Sequence, residues 1–237
     1  MSTYAIIVSA GKGVRMNGAT PKQYLPLQGM PIFCHTVLAF ERCPEVDHIV
    51  LLVPDQDIEF CHERLFSHMT LNTPVRILSG GKRRQDSVFN GILSIDDPGS
   101  IVVIHDGVRP LIRSEMIAQC IMVAQSTGAC ILGIPLQDTL KRVDSHDRIQ
   151  GTIDRSGLWL AQTPQVFQYR LIREAHEAAR QEGIDVTDDA ALLERMGVPI
   201  RVLKGSKDNI KITTRKDLIL AEALLGKVNT EDDVARA

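Results

Sequence analysis

The chain has no excess of charge, no paired cysteines and no long apolar run, and each absence removes a class of function. Across 237 residues, 27 Lys and Arg stand against 29 Asp and Glu, a formal net charge of −2. The basic excess carried by general binders of nucleic acid or anionic membrane is therefore missing, and neither is expected as a partner. Any phosphate chemistry must come from local clusters of cations. The five cysteines, Cys34, Cys43, Cys61, Cys120 and Cys130, are scattered without a C-x-x-C pair, which argues against a disulfide framework or a zinc ribbon and for a reducing compartment. The apolar stretches at 49–53 and 129–136 fall well short of the ~20 residues that span a bilayer. The N-terminus shows no basic segment followed by a cleavable apolar stretch, so a cytoplasmic protein is expected.

What the chain does have is an alternation of short apolar runs and amphipathic segments. Residues 4–8 are an apolar run that stops at Ser9-Ala10-Gly11-Lys12-Gly13, the pattern of a buried strand feeding a glycine-rich loop. Pro31 fits the first turn of a helix carrying Phe33, Val37 and Phe40, and Pro44 lies beyond its end. Strands are then predicted at 49–53, 75–78, 101–104 and 129–134. Helices are predicted around Ile58, Cys61 and Leu65, around Val88 and Ile92, and around Ile117, Cys120 and Ile121. Strands rich in Ile and Val without polar alternation are buried on both faces, so the intervening helices cover a mainly parallel sheet from both sides. The expected architecture is a three-layer α/β fold, one domain covering 1–237.

Between Thr139 and Ile153 the pattern breaks into two short strands about Ser145-His146-Asp147. This segment has too few apolar residues for a core of its own, so a β-hairpin arm at about 138–157 is predicted to pack on a partner subunit. Further helices are predicted at 169–181, after Thr187 and from Thr214, with a strand at 200–203 and a polar, frayed tail at about 227–237. Thr214 with Asp217 has the spacing of a capping box built with the shorter acid.

The segment richest in chemistry runs from Ser9-Ala10-Gly11-Lys12-Gly13-Val14-Arg15-Met16 to Pro21-Lys22-Gln23. Gly11 and Gly13 let the backbone approach a ligand and turn N–H groups toward an anion, while Lys12, Arg15 and Lys22 bring charge to the same place. A plain strand-to-helix turn would also show G-x-G, but three cations after the first strand of an α/β sheet favour a polyphosphate site. A P-loop needs four residues between its first glycine and a G-K-[ST] end, a string the chain lacks. A dinucleotide fingerprint needs a third glycine or alanine where Met16 stands, and an acid about twenty residues on, where Ile32-Phe33-Cys34-His35 stand. A P-loop kinase and an NAD enzyme are both disfavoured.

Further strings follow in order: Gly80-Gly81-Lys82-Arg83-Arg84-Gln85-Asp86-Ser87-Val88, His105-Asp106-Gly107-Val108-Arg109-Pro110, Asp138-Thr139-Leu140-Lys141-Arg142, and Thr152-Ile153-Asp154-Arg155-Ser156-Gly157-Leu158-Trp159. Gln162-Thr163-Pro164-Gln165, Val186-Thr187-Asp188-Asp189-Ala190 and Asp208-Asn209-Ile210-Lys211-Ile212-Thr213 complete the set. At the glycine loop the chain resembles nucleotidyltransferases that join a nucleoside triphosphate to a sugar or polyol phosphate. With all these strings, from about residue 5 to 225, it resembles the 2-C-methyl-D-erythritol 4-phosphate cytidylyltransferase family of the non-mevalonate isoprenoid pathway. That resemblance implies a Rossmann-like nucleotidyltransferase domain.

It also implies roles residue by residue. Arg15 and Lys22 match the pair that contacts the triphosphate, and Ser9, Ala10, Gly11 and Gly13 match the loop along the nucleotide. Gly80, Gly81, Asp86 and Ser87 match the segment that reads cytosine and ribose. Asp106 and Gly107 match positions by the nucleotide sugar and the metal-linked phosphates, and Arg109 lies toward the second substrate. Thr139, Arg155, Thr187 and Lys211 match the residues that hold the erythritol phosphate together with Asp106, with Arg155 and Lys211 positioning it for attack. In the family the arm reaches into a neighbouring subunit, which implies a homodimer with an active site completed in trans. His105 reads as structural, and Lys82-Arg83-Arg84 as a solvated helix start. Val14 stands where some members carry a basic residue.

The implied partners are CTP and 2-C-methyl-D-erythritol 4-phosphate, with Mg²⁺ bound mainly through the CTP phosphates and no residue assigned as a metal ligand. Two alternatives remain at this stage. One is a cytidylyltransferase for another polyol phosphate such as ribitol 5-phosphate, which the strings at 152–159 and 186–190 match less well. The other is a non-catalytic nucleotide-binding protein, against which the joint presence of Arg15, Lys22, Arg155 and Lys211 speaks.

Overall fold

The runs of Ile and Val enter one sheet because they leave no polar face for water. The computed structural model describes residues 1–11 and 21–235, with side chains as far as Gly226. Gly13 and Arg15 lie outside the described residues, as do Lys12 and Val14. The elements begin with β1 (Thr3–Val8), β2 (Pro26–Leu27), β3 (Met30–Pro31), α1 (Ile32–Glu41), β4 (His48–Val53), α2 (Ile58–Phe60), β5 (Val75–Ser79) and α3 (Arg84–Leu93). They continue with β6 (Ile101–Asp106), α4 (Ser114–Thr127), β7 (Ala129–Pro135), β8 (Leu140–Val143), β9 (Ile149–Ile153) and β10 (Trp159–Gln168). The chain closes with α5 (Tyr169–Glu182), α6 (Ala190–Arg195), β11 (Arg201–Lys204) and α7 (Arg215–Ala235).

Seven strands form one sheet in the order β11-β7-β10-β6-β1-β4-β5. All run the same way except β10, which is antiparallel to both neighbours. Alternate residues of each strand serve opposite layers. Ala5, Ile7, Ile49, Leu51, Ile101 and Val103 pack with the side of α1 and α4, while Ile6, Val50, Leu52, Val102 and Ile104 pack with the side of α3, α5 and α6. Each such fully buried aliphatic side chain contributes ~1.5–3 kcal/mol relative to exposure, which is why the three-layer arrangement follows from these runs. Among the described residues no helix is long and apolar enough to cross a membrane.

Two predicted features come out differently. Around Ile58, Cys61 and Leu65 only Cys61 is buried, and the segment forms the three-residue α2 between short 3₁₀ and π turns rather than one amphipathic helix. With so little core to cover, no single face holds a regular ladder. Conversely, no strand is predicted at 159–168, where Pro164 and three glutamines break the apolar pattern. The structure nevertheless inserts β10 between β6 and β7, with a shift of register between Ala161 and Gln165 and a cis Thr163-Pro164 peptide. Its polar side chains are tolerated because each finds partners: Gln162 donates to the Ser206 carbonyl, and the Gln165 carbonyl oxygen accepts from the N–H groups of Asp189 and Ala190.

The predicted arm is a separate sheet, in which β8 and β9 pair only with each other. The expected capping box is also present. The Thr214 N–H donates to Asp217 Oδ2 at 2.8 Å and the Asp217 N–H donates to Thr214 Oγ1 at 3.2 Å. The helix it opens is helical in backbone to Ala235, so it includes most of the segment expected to fray.

The chain leaves β1 through α1 for β4, toward one edge of the sheet, whereas β6 leads through α4 to β7, toward the opposite edge. Crossovers diverge at the carboxyl ends of β1 and β6, the place where open α/β sheets gather ligands.

Candidate active site

A cleft of about 590 Å³ opens at that divergence. Its lining includes Ser9, Ala10 and Gly11 from the end of β1, Lys22 and Gln23, Gly81, Arg84 and Ser87 around the start of α3, Asp106 from β6, and Lys211. Residues distant in sequence thus share one wall, and local anchors hold each in place. The Ser9 N–H donates to the Leu52 carbonyl at 2.8 Å, which keeps the chain beside β4 as it leaves β1. Lys22 opens a 3₁₀ turn, Lys22–Tyr24. Within it the buried Gln23 donates from Nε2 to the Gly11 carbonyl at 2.9 Å, and the Tyr24 hydroxyl donates to Asp57 at 2.7 Å. Lys211 stands between Asn209, whose Nδ2 donates to the Thr163 carbonyl at 2.8 Å, and Ile212, which is buried beside Val108. Both neighbours are fixed, so the lysine stem starts from a rigid base.

Glycine is required where the walls close up. A Cβ on Gly80 would overlap the Cβ of Ala10 and come within 3.0 Å of Ser87 Oγ, and one on Gly107 would overlap Ser9 Oγ and sit 3.1 Å from the Val8 carbonyl. The Ser9 hydroxyl can rotate, but the Ala10 Cβ has nowhere to turn. Gly80→Ala is therefore expected to displace the Ala10 backbone, cost about 1–3 kcal/mol of stability, and weaken binding of the CTP that the family resemblance implies at least several-fold. Titration calorimetry together with a thermal melt checks this, and unchanged CTP affinity would show that Ala10 does not border the nucleotide.

Asp106 is the electrostatic centre. Its Oδ1 accepts from Arg84 Nε at 2.9 Å, its Oδ2 meets Lys211 Nζ at 2.7 Å, and Arg109 Nε approaches to 3.6 Å. Burial alone would raise its pKa, but Arg84, Lys211 and Arg109 outweigh that and hold the carboxylate well below its ordinary range. Arg84 also reaches the buried Asp189 at 2.7 Å. Three cations on two carboxylates leave one positive charge over (3 − 2 = +1). Ser9 Oγ, Arg84 Nη2 and Asn209 Oδ1 are buried without a hydrogen-bond partner among the described residues. Ser9 Oγ and Arg84 Nη2 belong to residues that line the cleft and can donate to an anionic ligand there.

His105 is buried beside the ring of Phe40. The Arg109 carbonyl can only accept, so His105 Nε2 carries the proton at 3.1 Å and Nδ1 accepts from the Thr163 hydroxyl at 3.1 Å. That hydroxyl in turn accepts the Asp106 N–H at 3.2 Å. The role is structural. Burial pushes the His105 pKa down from 6.5 to about 3. The unfolded chain binds the proton in that window and the folded chain does not, so this contribution to stability is present above about pH 6.5 and is lost as pH falls toward about 3. His105→Asn should flatten this part of the Tm–pH curve. A parent Tm that stays constant from neutral pH into this window would contradict the assignment.

The residues singled out from the sequence do not all meet. Ser9, Ala10, Gly11, Lys22, Gly81, Ser87, Asp106 and Lys211 line the cleft, with Gly80 and Gly107 close behind it. Arg109 is held over Asp106 with Nη1 donating to the Asn209 carbonyl at 2.7 Å. Asp86 does not line the cleft. It pairs with Arg83 at 2.8 Å and borders a separate recess beside Arg180. Thr139 and Arg155 stand exposed at the base of the arm, where Arg155 donates to the Gln137 carbonyl, and Thr187 is exposed on the loop before α6.

The expectation for Lys82-Arg83-Arg84 needs correction. Lys82 and Arg83 are exposed, but the Arg84 side chain is only 26% exposed and bridges two carboxylates. A signal for it existed in the sequence: a cation in the first turn of a helix faces the positive end of the dipole, and nearby acids must offset it.

A glycine-walled cleft at the switch point of a mainly parallel sheet, floored by an acid clasped by cations, suits a nucleotide phosphate, and the matches to known proteins place this fold and site among the nucleotidyltransferases. The family model for IspD, 2-C-methyl-D-erythritol 4-phosphate cytidylyltransferase, matches residues 3–227. The chain belongs to this family and is an enzyme of the cytidylyltransferase class. The relative of that description from Syntrophus aciditrophicus (strain SB) is 45% identical over 223 residues, covering 94% of this chain and 95% of its own. The one from Geotalea uraniireducens (strain Rf4) is 43% identical over 233 residues, covering 98% and 100%. Among solved structures, 4-diphosphocytidyl-2C-methyl-D-erythritol synthase from Anaerococcus prevotii DSM 20548 superposes with a TM-score of 0.82 at 31% identity, covering 95% of this chain and 96% of that one. The Francisella tularensis 2-C-methyl-D-erythritol 4-phosphate cytidylyltransferase gives 0.79 at 31%, covering 93% and 98%.

Proposed function

We propose that this protein transfers CMP from CTP to 2-C-methyl-D-erythritol 4-phosphate in isoprenoid precursor synthesis, giving 4-(cytidine 5'-diphospho)-2-C-methyl-D-erythritol and pyrophosphate. The supporting observation is the convergence of Lys22, Asp106 and Lys211 on one glycine-walled cleft in a chain of this family. The attacking group is a phosphate oxygen that is already anionic, so no general base is needed. Catalysis is then positioning and charge neutralisation. Arg15 and Lys22 meet the triphosphate, Ser9 to Gly11 with Gly80, Gly81 and Ser87 enclose the nucleoside, and Lys211 and Arg109 take the acceptor side of Asp106.

Mg²⁺ fits this donor set as an ion carried by the nucleotide. Among the described residues no group of three or more His, Cys, Asp or Glu is gathered. Asp106, the one carboxylate among the described residues that line the cleft, is already met by three cations. Mg²⁺ keeps several waters and needs few protein ligands, so the triphosphate oxygens would hold it and it would neutralise their charge.

The working form in this proposal is a cytoplasmic homodimer. Thr139 and Arg155 are not in the lining of their own chain's cleft, in keeping with use by a second copy. Leu158, Trp159 and Leu160 are exposed where the chain leaves the arm for β10, Val202 is exposed on β11, and a Cβ on Gly133 would touch both Trp159 and Val202. Exposed apolar side chains such as Trp159 and Val202, adjacent over Gly133, are suited to cover by a second copy. The five free, buried cysteines accord with a reducing compartment.

The test is Mg²⁺-dependent pyrophosphate release from CTP with methylerythritol 4-phosphate, with ribitol 5-phosphate, and with no acceptor. Release with the first acceptor alone supports the proposal. Release only with ribitol 5-phosphate would move the substrate to another polyol phosphate, and release with neither would favour a nucleotide-binding protein.

A further inference from the structure

The first turn of α3 reaches from the cleft to the loop before α6. Arg84 sends Nε to Asp106 at the end of β6 and Nη1 to Asp189 at the start of α6. Asp189 is fixed in turn: its side chain, 1% exposed, meets His176 Nε2 at 3.2 Å, and its N–H donates to Gln165 Oε1 at 3.0 Å. Gln165 also donates to Asp188 at 2.7 Å. The residue after Arg84 grips the same loop from its other end, with Gln85 Nε2 donating to the Ile184 carbonyl at 3.1 Å and the Val186 N–H donating to Gln85 Oε1 at 3.2 Å. Residues 184–190 are thus clasped on both flanks, and Thr187 stands exposed between the clasps. Asp106 meanwhile gives its second oxygen to Lys211.

We propose that Arg84 is a positioning residue that holds the Thr187 loop in fixed relation to the Asp106–Lys211 pair, and so aligns the acceptor phosphate with the nucleotide. The inference rests on the cytidylyltransferase reading and adds to it a residue that acts through others. A stability role alone accounts poorly for the arrangement. Burying an ion network is often no more stabilising than packing apolar groups, and the helix dipole opposes a cation at this end of α3. What the network supplies is geometry. A planar guanidinium spans two carboxylates through separate nitrogens, whereas a lysine at the same place is one point charge and must choose between them.

The experiment compares the parent with Arg84→Lys and with Asp189→Asn, which keeps shape but removes the charge and one of the two acceptor oxygens that meet Arg84 and His176. The readouts are Tm, CTP affinity by calorimetry, and kcat and KM for each substrate. Arg84→Lys is expected to keep CTP affinity within about threefold, while kcat falls and KM for methylerythritol 4-phosphate rises, each at least ~10-fold, because misplacement of a substrate by an ångström carries such penalties. Asp189→Asn should shift the same two constants, and the double variant should be no worse than the worse single one, since both break one linkage. A folded Arg84→Lys, or failing that a folded Asp189→Asn, with lowered Tm but kcat and both KM values within about twofold of the parent would overturn the inference and leave a structural role. A parent inactive with CTP and methylerythritol 4-phosphate would instead overturn the underlying reaction, and this inference with it.

Discussion

Lys211→Ala is expected to lower kcat for cytidylyl transfer by ~10²–10³-fold while the protein stays folded, the usual loss when one preorganised charge is removed from a transition state. The Lys211 ammonium lies 2.7 Å from Asp106 Oδ2, and its stem leaves a backbone pinned by Asn209 and Ile212. It can therefore meet a phosphate with little reorganisation. Its loss leaves Asp106 with Arg84 and Arg109, so no buried carboxylate is stranded and the fold should survive. Lys22→Ala is expected to cost as much in rate with its larger effect on CTP, and the anchors of Gln23 and Tyr24 in the same turn should keep the protein folded. Steady-state pyrophosphate release with a parallel melting curve decides the matter. Turnover within tenfold of the parent in a folded Lys211→Ala protein would remove this lysine from the mechanism.

The second large effect concerns assembly. Arg155→Ala alone should be nearly inactive, as should Lys22→Ala alone. If each cleft uses its own Lys22 and the partner's arm, a dimer of one variant chain with the other has one site free of both lesions. Chains mixed and allowed to exchange at equal amounts should then recover about a quarter of parental activity, half the dimers being mixed with one of two sites working. If the site is completed within one chain, mixing restores nothing. The exposed patch around Trp159 and Val202 offers an independent check, since Trp159→Asp should shift the protein to a monomer in sedimentation and abolish the recovery.

The arm illustrates what a sequence determines by itself. Leu140 to Val143 and Ile149 to Ile153 form the two short strands expected from a polar turn between sparse apolar residues, and Thr214 with Asp217 makes the expected cap. The parallel strands were legible for the same reason. Burial on both faces selects unbroken Ile and Val runs, and the selection acts within a few residues of chain. The glycine loop and the order of the motif strings were likewise readable, because close approach to a ligand and fixed cations demand particular residues at particular spacings.

What the tertiary structure alone decided involves partners far apart in sequence. Strand β10 sits between β6 and β7 although its pattern is broken by Pro164 and glutamines, because the amides of Gln162 and Gln165 are satisfied by the loops at 206 and at 188–190. No local periodicity can announce a hydrogen bond to a segment that arrives later. Arg84 is the sharper case: within its own turn it is one more surface cation, and only the arrival of Asp106 and Asp189 makes it a bridge between two buried carboxylates. Hydrophobic pattern is written along the chain and fixes which segments are buried. Charge pairing in a cleft depends on which buried ends meet, and that is settled by the sheet order.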